Sequence, residues 1–131
     1  MVRAFSVVVY NQARNETMTE RLTEADFQQK AEDAIRELEV AFAKLAEERD
    51  LDVEVEGGVL NVAFEEAEPA RFIVSPNSSV RQLWVSARVS SFKFDWSVQA
   101  GMFLLAGTGE PLKQVMTRLT REQLADDGTD L

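Results

Sequence analysis

The apolar residues of this chain change their spacing near residue 50, and that change leaves few folds open to it. Upstream they recur three and four apart, at Phe27, Ala31, Ala34, Ile35, Leu38, Phe42 and Leu45, which is one stripe of an amphipathic helix. Thr23 is a suitable N-cap, and Glu24 and Asp26 suit the positive end of the helix dipole, so a helix is predicted from there to about Glu48. Downstream the period is two. Leu51, Val53 and Val55 alternate with Asp52, Glu54 and Glu56, and Gly57-Gly58 then offers the positive φ of a tight hairpin turn.

Further short strands are predicted over Val59–Phe64, Arg71–Val74 and Val80–Ser86, then around Phe92, Phe94 and Trp96, and over Met102–Ala106, with Ser75–Ser79 as a turn. Pro111 sits well at the first turn of a closing helix with the stripe Leu112, Val115, Met116 and Leu119. Helix, six strands and helix with hairpin-length connections imply an antiparallel sheet whose one face is covered by both helices. The expected class is α+β, a two-layer α/β sandwich of α-β(6)-α order with an open sheet face. Residues 1–22 stand apart as an N-terminal extension to which the sequence assigns no role. They carry the apolar run Phe5–Tyr10 without the pattern of a secretory signal, and Met18 is an alternative start of the domain. The acidic tail, residues 125–131, is expected to fray.

Composition removes most chemistries. The chain has no cysteine and no histidine, which excludes disulfides, thiolate nucleophiles, Cys/His zinc sites and histidine general bases within it. The 23 acidic and 14 basic residues give a formal charge of -9, so nucleic acid is not an expected partner, whereas cations and basic protein surfaces are. No segment approaches the roughly 18 consecutive apolar residues of a membrane helix, and a soluble, cytoplasmic protein is expected.

Three stretches carry a resemblance to a known family. They are the run Asp52-Val53-Glu54-Val55-Glu56-Gly57-Gly58-Val59-Leu60-Asn61-Val62-Ala63-Phe64, the run Gln82-Leu83-Trp84-Val85-Ser86, and Phe94-Asp95-Trp96, set between one helix before and one after. In this order they resemble the frataxin/CyaY family of bacterial type over about residues 23–120, and residues 23–124 are read as a frataxin-like domain. The loop that usually contains glycine in relatives is Ala87-Arg88-Val89-Ser90-Ser91 here. The second half of the first helix, strongly acidic in relatives, has Val40, Ala43 and Lys44.

The resemblance implies an iron-binding accessory protein of iron–sulfur cluster assembly, an iron donor or sensor that modulates a cysteine desulfurase and its scaffold protein. It implies no catalytic residue. The alternatives are a ferroxidase or iron-storage protein, with weak ferroxidase activity the enzymatic form, and an acidic protein-binding module that does not use iron. A monomer is expected, with iron-dependent oligomers left open.

On a helical wheel, Asp33 and Glu37 fall on one side of the apolar stripe with Asp26, and Glu32 with Glu39 on the other. Glu47, Glu48 and Asp50 follow at the helix end, and Asp52, Glu54 and Glu56 point outward from the first strand. The resemblance implies that these carboxylates form one acidic ridge that binds Fe2+ or Fe3+, and exposed carboxylates of this kind hold iron weakly, with water completing its shell. Alternation leaves Gln82, Trp84 and Lys93 on the open sheet face, with Phe92, Phe94 and Trp96 turned inward. In relatives this surface contacts the desulfurase and scaffold, which makes Gln82, Trp84 and Lys93 the candidate partner-binding residues.

Overall fold

A computed structural model describes residues 22–66 and 68–131, so the Phe5–Tyr10 run and Met18 lie outside the described residues. Helix α1 spans Glu24–Leu45, strands β1 to β6 span Leu51–Glu56, Val59–Phe64, Ala70–Asn77, Gln82–Ala87, Ser90–Ser97 and Met102–Leu105, and helix α2 spans Leu112–Leu124. The strands form one sheet in chain order, each antiparallel to its neighbour.

The local causes are those of the sequence. Thr23 Oγ1 accepts the amide hydrogen of Asp26 at 3.1 Å, satisfying one of the unpaired donors that begin any helix. Gly57 and Gly58 have φ of 61° and 79°, a conformation that costs glycine little, and they join β1 to β2 in a register that places Glu56 opposite Val59. The helix stripe of Phe27, Ala31, Ile35, Leu38 and Phe42 is buried against the sheet side chains Leu60, Val62, Phe64, Phe72, Val74, Leu83, Val85, Phe94 and Phe103. Two aromatic groups tie the layers together. Phe42 meets Phe64 edge-on at 6.4 Å with Phe72 behind it, and Phe27 and Trp96 both meet Phe103 edge-on, at 6.1 and 5.1 Å.

Several boundaries differ from expectation. Helix α1 stops at Leu45, and residues 46–50 form a turn, because the Glu47 and Glu48 amides close three-residue hydrogen bonds to the Lys44 and Leu45 carbonyls. Ser75, Pro76 and Asn77 extend β3 instead of turning, and they pair with Trp84, Leu83 and Gln82, so β4 begins at Gln82 and not at Val80. Pro111 stands one residue before α2 as its cap. Of the three inward aromatics on β5, Phe94 is fully buried, while Phe92 and Trp96 lie at the margins of the core and are half-buried.

The tail does not fray. Ala125 adopts a left-handed conformation and ends α2, the Arg121 side chain donates from Nε to the Thr129 carbonyl at 2.6 Å, and Thr129 is buried. Leu131 packs against the core.

Candidate functional site

The open face is organised around strands β4 and β5, where antiparallel register sets Gln82 opposite Asp95 and Trp84 opposite Lys93. Side chains two apart on one strand share a face, so the four make a square. Trp84 is 38% exposed. Its indole Nε1 donates to Gln82 Oε1 at 3.0 Å, Gln82 Nε2 donates to Asp95 Oδ1 at 3.1 Å, and Lys93 Nζ stands 4.9 Å from the centre of the Trp84 ring. The structure therefore brings together Gln82, Trp84 and Lys93, three residues far apart in chemical type. The ring is presented with a cation on its face and its only polar group already bonded.

Cross-strand partners extend this face to the sheet edge. Glu54 pairs with Asn61, Asn61 with Ile73, Ile73 with Ser86, and Ser86 with Ser91, while Asp52 pairs with Ala63 and Ala63 with Arg71. Asp52, Glu54 and Glu56 are exposed on β1, an edge strand, and belong to the same sheet face as Trp84.

The helix carboxylates fall elsewhere. Asp33 and Glu37 line a groove between α1, β6 and the start of α2, together with Lys30, Lys44, Trp96 and Met102. Asp33 is engaged there by Arg36 Nη1 at 3.2 Å and Gln29 Nε2 at 3.1 Å, and Lys30 Nζ stands 5.2 Å from the Trp96 ring centre. Glu32 and Glu39 lie on the other flank of the helix stripe, roughly 100–160° around the axis from Asp33 and Glu37 at about 100° per residue. Glu47, Glu48 and Asp50 are exposed in the turn after α1. The ten candidate carboxylates thus lie on two helix flanks, one turn and one strand, and among the described residues no three acidic side chains come close enough to hold a metal ion together.

The turn that carries Glu47, Glu48 and Asp50 is pinned by a forked ion pair. Arg49 donates to both oxygens of Glu66, with Nη2 at 2.7 Å and Nε at 2.9 and 3.1 Å, and its Nη1 reaches Asp126 at 3.0 Å. The Asp50 amide adds a bond to Glu66 at 2.8 Å. Hydrogen bonds from Arg49 and from the Asp50 amide, against a smaller opposing effect of burial, hold the Glu66 carboxyl down to about 2.

A family model described as a frataxin-like domain matches residues 20–126. The chain belongs to the frataxin-like family. It is 35% identical over 108 residues to an Azotobacter vinelandii protein named iron–sulfur cluster assembly protein CyaY, a match covering 81% of this chain and 93% of that protein. It is 35% identical over 117 residues to the protein of the same name from Pseudomonas aeruginosa, covering 89% and 94%. Among solved structures, the frataxin of Psychromonas ingrahamii superposes with a TM-score of 0.70 over 80% of this chain and 94% of that one, at 16% identity, a likeness of fold.

Sequence reading of this frataxin-like domain missed one residue of the square and the ion pair that pins the acidic turn. Asp95 was visible as part of Phe94-Asp95-Trp96, but its place opposite Gln82 depends on the register of β4 with β5, which alternation alone does not fix. Arg49 and Glu66 are 17 residues apart in separate loops, and no periodic signal links them.

Proposed function

We propose that this chain is an accessory protein of iron–sulfur cluster assembly, which docks a cysteine desulfurase and its scaffold protein through the open sheet face and carries iron weakly on surface carboxylates. The observation that carries the reading is the square of Gln82, Trp84, Lys93 and Asp95, because an exposed, oriented tryptophan on an interior strand of an open sheet face is the kind of residue that anchors a protein interface. The names of its relatives supply the pathway. Asp52, Glu54 and Glu56 give the same face an acidic border, which favours a basic partner surface and speeds its approach.

Dispersed carboxylates support a transient iron load. One or two carboxylates leave most of the coordination shell to water, so the ion is released easily, as a donor requires and as an oxidase with a fixed metal centre does not. The deciding experiment is an anaerobic pull-down with purified desulfurase and scaffold, with and without ferrous iron. Capture in both conditions, strengthened or weakened by iron, supports the reading. Absence of capture in both conditions refutes it.

A further inference from the structure

We infer that Asp95 is a positioning residue for Trp84, acting through the Gln82 side chain, and that it sets the orientation in which the indole meets a partner; this rests on the docking role proposed for the open face. The argument needs only the donor and acceptor inventory of the groups in the chain. An indole Nε1–H is a donor and nothing else, and a carboxylate is an acceptor and nothing else. Between them stands the Gln82 carboxamide, which has one end of each kind. With Asp95 on its amino end, Gln82 can turn only its oxygen to Trp84. The two observed bonds, 3.1 Å to Asp95 and 3.0 Å from Trp84, are therefore coupled, since rotating the amide by half a turn would set donor against donor at Trp84 and acceptor against acceptor at Asp95.

Geometry makes the relay rigid as well as polar. Gln82 and Asp95 are direct cross-strand partners and so are Trp84 and Lys93, so all four side chains rise from adjacent positions of one antiparallel pair. Lys93 holds the ring face at 4.9 Å while Gln82 holds the ring edge, and together they restrict the two torsions of an exposed tryptophan. An anchor ordered before binding loses less entropy on docking, and that is how a residue that orders the anchor can alter affinity through it.

The test uses the full-length protein, and the Trp84 indole N–H is observed by nitrogen-15 NMR while affinity is measured with purified desulfurase–scaffold complex. Asp95→Asn should keep the indole signal near its original position, because an amide oxygen can still accept from Gln82. Asp95→Lys presents donors only, so it should reverse Gln82, shift the indole signal and speed its exchange with water, and weaken partner binding roughly three- to tenfold, the effect of about one hydrogen bond. Adding Gln82→Glu to Asp95→Lys should restore the indole signal and most of the affinity, because a carboxylate accepts from both neighbours. A merely structural role predicts no such rescue. The inference is overturned if Asp95→Lys leaves the indole signal in place, if the double variant fails to restore it, or if the signal moves while affinity stays constant in a protein whose Trp84→Ala variant no longer binds. Should Trp84→Ala itself bind normally, the docking role of this face is refuted together with the influence of Asp95 on affinity, and the indole signal then reports on the relay alone.

Discussion

Among the described residues, Glu66 and Glu110 have carboxyls held below the usual carboxylate range, each chiefly by hydrogen bonds from one arginine. Glu66 takes the Arg49 fork and the Asp50 amide, and Glu110 accepts from Arg118 and Thr108, so hydrogen bonds to these groups lower both carboxyls, burial opposing to a lesser degree. Glu66 titrates at about 2 when folded against 4.5 ordinarily, and a depressed carboxyl stabilises the fold where it is ionised in both states. Its contribution is complete above about pH 4.5 and disappears as pH falls through the folded value near 2. Denaturant melts at successive pH values should therefore show an acid limb in this window, flattened in Glu66→Gln and in Arg49→Met. The iron-binding proposal also belongs to single residues. Asp33 is already bonded to Arg36 and Gln29, and Glu37 shares its groove with Lys30 and Lys44, whereas Asp52 and Glu54 are exposed on β1 with no side-chain partner among the described residues. Anaerobic titration should find that Asp52→Asn with Glu54→Gln weakens ferrous iron binding more than Asp26→Asn with Glu37→Gln does.

At the scale of elements, the tail closes the structure. Arg49 links the end of α1 to Glu66 and to Asp126 after α2, Arg121 holds the Thr129 carbonyl, and Leu131 reaches the groove between α1, β6 and α2. Removing residues 126–131 would uncover that groove and orphan both guanidinium contacts. We expect a loss of about 1–3 kcal/mol in chemical unfolding, from one partly buried aliphatic side chain and two or three hydrogen bonds. A truncated protein as stable as the parent would show that the tail only rests on the surface. The β4–β5 connection is tied down in a similar way: Arg88 has φ of 60°, and its Nε donates to the buried Gln123 at 2.7 Å. That bond anchors the hairpin to α2 and helps offset the strain of a left-handed arginine.

At the scale of the whole molecule, the fold was legible because its two periods are clean. Every core residue of α1 lies in the predicted stripe, and the alternation of β1, β2 and β4 matches which side chains are buried. Proline misled the reading of Ser75-Pro76-Asn77, since a turn signal there was overridden by pairing with β4. The candidate site divided along the same line. Trp84, Gln82 and Lys93 were found by strand alternation, a local property, and they converge in the structure. The ridge implied by resemblance depends on how a helix sits on a sheet, which no local pattern encodes; in the structure Asp33 and Glu37 line the groove beside β6 and α2, and Asp52, Glu54 and Glu56 lie on the tryptophan face. The described core is closed between Leu22 and Leu131, so a chain beginning at Met18 should melt within a few degrees of the full chain in calorimetry. A much lower melting temperature would assign residues 1–17 a part in the fold.

The central claim is that the open face docks the assembly machinery through Trp84. The most direct measurement is the affinity of Trp84→Ala for the desulfurase–scaffold complex beside its melting temperature, with Trp96→Ala as the control. Trp96 packs on Phe103 and fills the margin of the core, so its truncation should destabilise the protein more than that of Trp84, though by less than the roughly 3–5 kcal/mol of a fully buried ring. The account predicts that Trp84→Ala loses about 2 kcal/mol or more of binding, some thirtyfold in affinity, while its melting temperature moves only modestly. Undiminished binding by Trp84→Ala, or a loss of stability as large as that of Trp96→Ala, would contradict it.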